Sequence, residues 1–125
     1  MEAKRKPTIL IVDDHEESLD VYRTYLQRQG YRIVLARTGS EGLEKIRTEE
    51  PHLVLLDRKL PDMDGLKIIS GRNEGLRVVC VTARAYDEDK EEALAAGVDA
   101  YLVKPAPPNQ VLKAVEELIG PARSA

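Results

Sequence analysis

The chain alternates short apolar runs with longer amphipathic segments, which predicts that strands and helices follow one another in turn. The apolar runs are four or five residues long and rich in Val, Ile and Leu, as is typical of strands buried on both faces of a parallel sheet. The predicted strands span about residues 8–12, 32–36, 53–56, 78–81 and 100–103. This alternation over short connections predicts an α/β domain with a doubly wound, five-stranded parallel sheet and helices on both faces.

Five helices are predicted between and after these strands, and capping residues mark several of their ends. They span about residues 14–29, 39–50, a short glycine-interrupted stretch from 66, 87–96 and 109–119. Gly30 is placed to end the first helix in a left-handed conformation. Thr38 and Glu41 form a predicted capping box at the start of the second. Leu43 and Ile46 are expected to face inward from that helix.

Composition and charge are those of a single soluble domain. The 125 residues suit one domain over 1–125, with a core at about 7–119 and short flexible ends at 1–6 and 120–125. The net charge of −3 predicts no sequence-wide attraction to nucleic acid or acidic lipid. Cys80 is the only cysteine, which rules out an internal disulfide. No apolar run approaches the ~20 residues of a membrane span, so a cytoplasmic location is expected.

Polar side chains directly follow four of the predicted strands. Asp13 and Asp14 follow the first strand, and Asp57 follows the third. Thr82 follows the fourth and Lys104 follows the fifth. In open parallel sheets, ligands bind just beyond the carboxyl ends of the strands. These five side chains are therefore expected to converge on one site.

Three carboxylates in one place repel each other unless a cation offsets their charge. Mg²⁺ suits such a set because it takes a few carboxylate oxygens and accepts phosphate oxygens as further ligands. A lysine can neutralise a phosphoryl group, and aspartate is a known nucleophile for phosphoryl transfer. The set therefore favours phosphoryl transfer to a carboxylate over hydrolysis by a Ser-His-Asp triad. His15 is predicted to be a residue of the first helical turn rather than a metal ligand.

Four motifs in the chain resemble those of the receiver domain of two-component response regulators. They are Ile-Val-Asp13-Asp14, Leu-Leu-Asp57-Arg-Lys-Leu-Pro61-Asp-Met-Asp-Gly65, Val-Thr82-Ala83 and Tyr101-Leu-Val-Lys104-Pro105. They stand in the family's order and spacing, and the resemblance covers about residues 7–119. It implies the flavodoxin-like strand order 2-1-3-4-5 and a receiver that stands alone as a single domain.

The resemblance assigns the metal site residue by residue. Asp57 is the implied phosphoacceptor, and Asp14 and Asp57 are implied to bind Mg²⁺, or Mn²⁺, directly. The main-chain carbonyl of Lys59 is a further implied ligand, and Asp13 is implied to act through a metal-bound water. The peptide bond Lys104–Pro105 is implied to be cis, which X-Pro bonds tolerate at a cost of ~0.5–1 kcal/mol.

The resemblance also implies how the site switches. Lys104 pairs with the phosphoryl group, and Thr82 bonds one of its oxygens and moves toward it. Tyr101 turns inward as Thr82 moves. Lys59 and Arg84, two positions after Asp57 and Thr82, are basic here, and we expect them to tune the lifetime of the phosphoryl group.

In function, the resemblance implies a phosphoacceptor switch rather than an enzyme. A sensor histidine kinase or a histidine phosphotransfer protein is the implied donor, and a downstream protein target is regulated through the surface of predicted helix four, strand five and helix five. The resemblance also allows a second copy of the chain as a partner, in a homodimer that forms on phosphorylation. An aspartate-based metal phosphatase is disfavoured, because Lys59 stands where that class has a second aspartate. Two alternatives stay open, a phosphate-independent interaction domain and the receiver part of a longer DNA-binding regulator.

Overall fold

Five strands and four α-helices alternate along the chain in the computed structural model, which describes residues 6–122. The strands are β1 (Thr8–Val12), β2 (Arg32–Ala36), β3 (Leu53–Leu56), β4 (Arg77–Thr82) and β5 (Ala100–Val103). The helices are α1 (Glu16–Gln29), α2 (Gly39–Glu49), α3 (Asp87–Ala95) and α4 (Pro108–Ile119). None of the helices in this described part is long and apolar enough to span a bilayer. The predicted flexible ends fall largely outside the described residues.

The five strands form one parallel sheet in the order β2-β1-β3-β4-β5, which confirms the predicted topology. Alternate strand residues point to opposite faces, so the core has two layers. One layer holds Ile9, Ile11 and Leu55 with the buried faces of α1 and α4. The other holds Leu10 and Val54 with residues of α2, α3 and the segment between β3 and β4. The sheet is therefore covered on both faces, as predicted.

The capping predictions are confirmed in part. Gly30 ends α1 with φ 108°, a left-handed conformation that favours glycine. The Thr38 hydroxyl accepts a hydrogen bond from the Glu41 amide at 3.1 Å, but the Glu41 carboxylate accepts from the Arg37 amide, not from Thr38. The inward orientation predicted for Leu43 is wrong, since this side chain is 43% exposed. The buried residues of α2 are its glycines, which let the helix approach the sheet closely.

The third predicted helix is a single 3-10 helix, Gly65–Ile69. The Asp64 carboxylate caps it by accepting from the Leu66 amide at 3.0 Å. Gly71 follows with φ 76°, which an α-helix cannot accommodate. The predicted fourth and fifth helices are therefore α3 and α4.

Strand β5, like β2 at the opposite edge, departs from the prediction that every strand is buried on both faces. It lies at the edge of the sheet, where only β4 pairs with it. Val103 is 41% exposed and the rest of the strand is half-buried. Lys104 therefore extends from an edge strand over the end of the sheet.

Gly65 packs against the backbone that carries the candidate phosphoacceptor. A Cβ at this position would overlap the main-chain oxygen of Asp57. We expect Gly65→Ala to lower the free energy of unfolding by about 1–3 kcal/mol, because backbone cannot yield as a flexible side chain can. Gly75→Ala is the matched control, since a Cβ there has no atom within 4 Å. Equal urea midpoints for the two variants would contradict this packing.

Candidate functional site

The ends of the strands bring the predicted site residues together. The Asp57 amide donates to the Val12 carbonyl at 3.0 Å, which continues the pairing of β3 with β1 beyond the last strand residue. The Lys104 amide donates to the Thr82 carbonyl at 2.8 Å and does the same for β5 and β4. Backbone hydrogen bonds of the sheet therefore hold these residues at one edge.

Lys104 joins the two buried carboxylates of the site. Its Nζ lies 2.7 Å from Asp13 Oδ2 and 3.1 Å from Asp57 Oδ2, and both aspartates are 3% exposed. Burial works to lower the pKa of the Lys104 ammonium. Its hydrogen bond to Asp13 and the charge of Asp57 outweigh burial, and the pKa lies above its usual value. Lys104 is therefore a permanent positive charge beside Asp57.

The two buried carboxylates also belong to a set of four possible metal ligands. Asp13, Asp14, His15 and Asp57 each offer one ligand atom, and these atoms lie within 4.8 Å of one another. Asp14 is exposed, and the amide of Lys59 donates to Asp57 Oδ1 at 3.0 Å. Three carboxylates with one ammonium retain net negative charge, so the donor set fits a divalent cation.

His15 lies one residue before the first turn in which it was predicted, at the N-cap of α1, where its carbonyl accepts a hydrogen bond from the Leu19 amide at 3.1 Å. What the sequence did not predict is that its ring lies against the carboxylates. Nδ1 is 2.9 Å from Asp13 Oδ1 and 3.2 Å from Asp14 Oδ1. The only sequence signal was its position directly after the acidic pair.

A cleft of about 600 Å³ opens over the site. Its lining includes Asp57, Thr82, Lys104 and the exposed cations Lys59 and Arg84. The Thr82 side chain is fully buried, and its hydroxyl accepts from the Arg84 amide at 3.4 Å. A negatively charged group entering the cleft would meet three cations, and the Thr82 hydroxyl could reach it only if the buried side chain moved.

Tyr101 does not line the cleft, but it contacts one of the lining residues. Its hydroxyl donates to the Arg84 carbonyl at 2.8 Å, which connects it to the segment that follows Thr82. The ring is half-buried and packs beside the core layer of α3.

The Lys104–Pro105 peptide bond is cis, as predicted.

Arg58 was not anticipated as more than a loop residue, yet its side chain is 1% exposed. Its guanidinium donates to Asp64 Oδ2 at 2.9 Å, to Glu92 Oε1 at 2.7 Å and to the Asp89 carbonyl at 2.9 Å. Burial works to lower the pKa of Arg58, but the hydrogen bonds to Asp64 and Glu92 raise it above its usual value. The residue next to Asp57 therefore ties this loop to α3.

Asp62 also fixes the loop after β3. Its carboxylate accepts from the Gly39 amide at 2.7 Å and from the Ser40 amide at 2.9 Å, at the start of α2. These hydrogen bonds hold the pKa of Asp62 below its usual value. Asp62 therefore supports α2 from outside the acidic cluster.

Comparison with known proteins agrees with this geometry. The family model described as response regulator receiver domain matches residues 9–116. The alkaline phosphatase synthesis transcriptional regulatory protein PhoP of Bacillus subtilis is 35% identical over 89% of this chain, which spans 48% of that protein. The polar-differentiation response regulator DivK of Brucella ovis is 31% identical over 92% of this chain and 98% of its own length. A CheY-like receiver domain from Methanospirillum hungatei superimposes with a TM-score of 0.84 at 39% identity, over 90% of this chain and 93% of that one.

Proposed function

The chain belongs to the response regulator receiver domain family of two-component signalling, and on this basis we propose that it is a switch phosphorylated on Asp57. The observation that carries the proposal is the buried Asp57 carboxylate, which lies 3.1 Å from Lys104 Nζ and within a set of cation ligands. We propose Mg²⁺ as the ion, a phosphohistidine of a sensor kinase or phosphotransfer protein as the donor, and a protein as the downstream target. The protein itself is proposed to be a switch rather than an enzyme.

The proposed reaction transfers one phosphoryl group to a carboxylate. An Asp57 oxygen attacks phosphorus, an O–P bond forms, and the P–N bond of the donor breaks with its electron pair left on the histidine nitrogen. Such transfers need mainly positioning and positive charge. Lys104 supplies charge beside the acceptor. Asp14, Asp57 and the main-chain carbonyl of Lys59 would hold Mg²⁺, with Asp13 acting through a metal-bound water, and the ion neutralises phosphoryl oxygens when bound.

The new group is proposed to change the surface formed by α3, β5 and α4. Thr82 carries a hydroxyl on the cleft wall. Its movement toward a phosphoryl oxygen would shift the segment after it, to which Tyr101 is hydrogen-bonded at the Arg84 carbonyl. A ligand shifts a two-state equilibrium only by its differential affinity for the states. Conversion from 1:99 to 99:1 needs ~5.5 kcal/mol of that difference.

Intact mass after incubation with a small acyl phosphate tests the proposal. We expect one phosphoryl adduct in the presence of Mg²⁺ and none after chelation, because the carboxylates need the cation to accept another anion. The adduct is expected to be labile in base, as an acyl phosphate is. A protein that remains unmodified under all conditions would favour a phosphate-independent interaction domain.

The exposed cations at the mouth of the cleft are expected to set how long the phosphoryl group lasts. Lys59 and Arg84 both line the cleft above Asp57. Replacing both with alanine removes two charges that shape the approach of water, and we expect the decay rate of the adduct to change at least severalfold. Arg47→Ala is the control, since its exposed side chain pairs with Glu44 on α2. An unchanged decay rate in the double variant would refute this role.

A further inference from the structure

Among the four grouped residues that offer a metal-ligand atom, His15 is the one that the proposed switch chemistry does not use. Its Nδ1 lies 2.9 Å from Asp13 Oδ1, 3.2 Å from Asp14 Oδ1 and 3.7 Å from Asp57 Oδ2. The ring thus approaches all three carboxylates through one nitrogen. It also makes no side-chain cap at the start of α1, which is the usual structural use of a polar residue at this position.

The local backbone directs the ring toward the carboxylates. The His15 amide donates to Asp13 Oδ1 at 2.9 Å, which folds the chain back over the end of β1. Lys104 bonds the other oxygen of Asp13, Oδ2, at 2.7 Å. The two oxygens of Asp13 therefore serve different partners: Oδ2 contacts Lys104, and Oδ1 faces His15, whose amide and ring nitrogen both lie 2.9 Å from it.

The separations between these atoms are those of neighbouring ligands on one ion. With metal–ligand bonds of about 2.1 Å, adjacent ligands lie about 3.0 Å apart in an octahedron and about 3.4 Å apart in a tetrahedron. The distances from Nδ1 to Asp13 and Asp14, 2.9 and 3.2 Å, agree with these separations, whereas the 3.7 Å to Asp57 is longer. The His15 side chain is 59% exposed, so an ion can reach it from solvent without unfolding.

We propose that His15 Nδ1 is a metal ligand in this pocket, which makes the site a mixed oxygen–nitrogen centre. This inference rests on the proposed function, since it concerns the same cation site. Imidazole suits Zn²⁺ and Ni²⁺, whereas Mg²⁺ binds carboxylate, carbonyl and water oxygens. The pocket therefore takes Zn²⁺ or Ni²⁺ through His15 and the aspartates, and these ions compete with Mg²⁺ for the same oxygens.

Calorimetric titrations with Zn²⁺ and with Mg²⁺ on the full chain test the proposal. We expect His15→Ala to weaken Zn²⁺ binding by about tenfold or more and to leave Mg²⁺ binding within about threefold of wild type. His52→Ala is the matched control, because it removes the only other histidine, whose Nδ1 contacts the Thr8 amide at the start of β1. That variant is expected to bind both ions as wild type does.

Nitrogen NMR of protein labelled in histidine gives a second readout that does not depend on affinity. The chain has two histidines, so the spectrum of His52→Ala reports His15 alone. We expect Zn²⁺ to shift the Nδ1 resonance of His15, and Mg²⁺ to leave it near its position in the ion-free protein. Equal Zn²⁺ affinity in wild type and His15→Ala, or an Nδ1 resonance that Zn²⁺ does not shift, would overturn the proposal.

The two proposals fail separately. Loss of the Mg²⁺-dependent phosphoryl adduct would refute the switch, whatever His15 does. A normal adduct with equal Zn²⁺ binding in wild type and His15→Ala would refute only the ligand role of His15.

Discussion

Asp57→Asn is expected to abolish the phosphoryl adduct completely. Asparagine lacks the nucleophilic oxygen anion. The change also removes the negative charge that pairs with Lys104 and that contributes to the set of cation ligands. Asp13 is equally buried and also contacts Lys104, but Asp57 lines the cleft and Asp13 does not. Intact mass after treatment with a small acyl phosphate and Mg²⁺ measures the loss.

Asp62→Asn is the matched control for this prediction. It makes the same chemical change in the same loop, at an exposed residue that caps α2 and takes no part in the acidic cluster. We expect it to form the adduct as wild type does. An adduct that persists in Asp57→Asn would mean that another residue is the acceptor, and equal loss in both variants would mean that the loop rather than Asp57 matters.

Asp64→Asn is expected to destabilise the fold by about 3 kcal/mol, because it leaves the buried Arg58 charge with less compensation. Asparagine can still accept from the Leu66 amide, so the cap of the 3-10 helix is kept and the change isolates the charge. Glu92→Gln is the control at the other partner of Arg58. Its side chain is 64% exposed, and we expect a loss of at most about 1 kcal/mol.

Arg58→Met separates the charge of Arg58 from its volume. An apolar side chain of similar size removes the buried cation and leaves Asp64 and Glu92 free to be hydrated, so we expect a stability close to wild type. Urea unfolding of the four proteins compares these costs. If Arg58→Met lowers the free energy of unfolding as much as Asp64→Asn does, the guanidinium makes a net stabilising contribution to the fold. It would then be more than a buried charge that its partners must compensate.

The order of elements could be predicted from sequence because each signal is local. β1, β2, β3 and β5 have the predicted bounds, since each apolar run is closed by a polar or turn residue. The convergence of Asp13, Asp57 and Lys104 also follows from local position, because the carboxyl ends of parallel strands meet at one edge of the sheet. The residue that follows each strand could therefore be placed at this edge of the sheet from the sequence alone.

Features that depend on packing could not be predicted in this way. Leu43 has the helical spacing of an inward residue, but α2 meets the sheet through Gly42, whose missing side chain brings the backbone close to Val12. The apolar run of β5 looks like the central strands, although its place at the sheet edge leaves Val103 exposed. A sequence window of a few residues does not show that Leu43 and Val103 are exposed.

The two side chains missed at the site depend on contacts over long sequence distances. Arg58 is buried because Glu92 and the Asp89 carbonyl, more than thirty residues away, receive its guanidinium. His15 lies beside Asp57 only because β1 and β3 are neighbours in the sheet. The local sequence around a charged residue that follows a buried strand does not show which residues it will contact.

Trapping the acyl phosphate with borohydride tests most directly whether Asp57 is the phosphoacceptor. Reduction converts a phosphorylated aspartate into homoserine, and tandem mass spectrometry of peptides then gives the residue number. We predict homoserine at position 57 after treatment with a small acyl phosphate and Mg²⁺, and unmodified aspartate there without the ion. Homoserine at position 13, 14 or 62, or at none, would contradict the assignment of Asp57 as the acceptor.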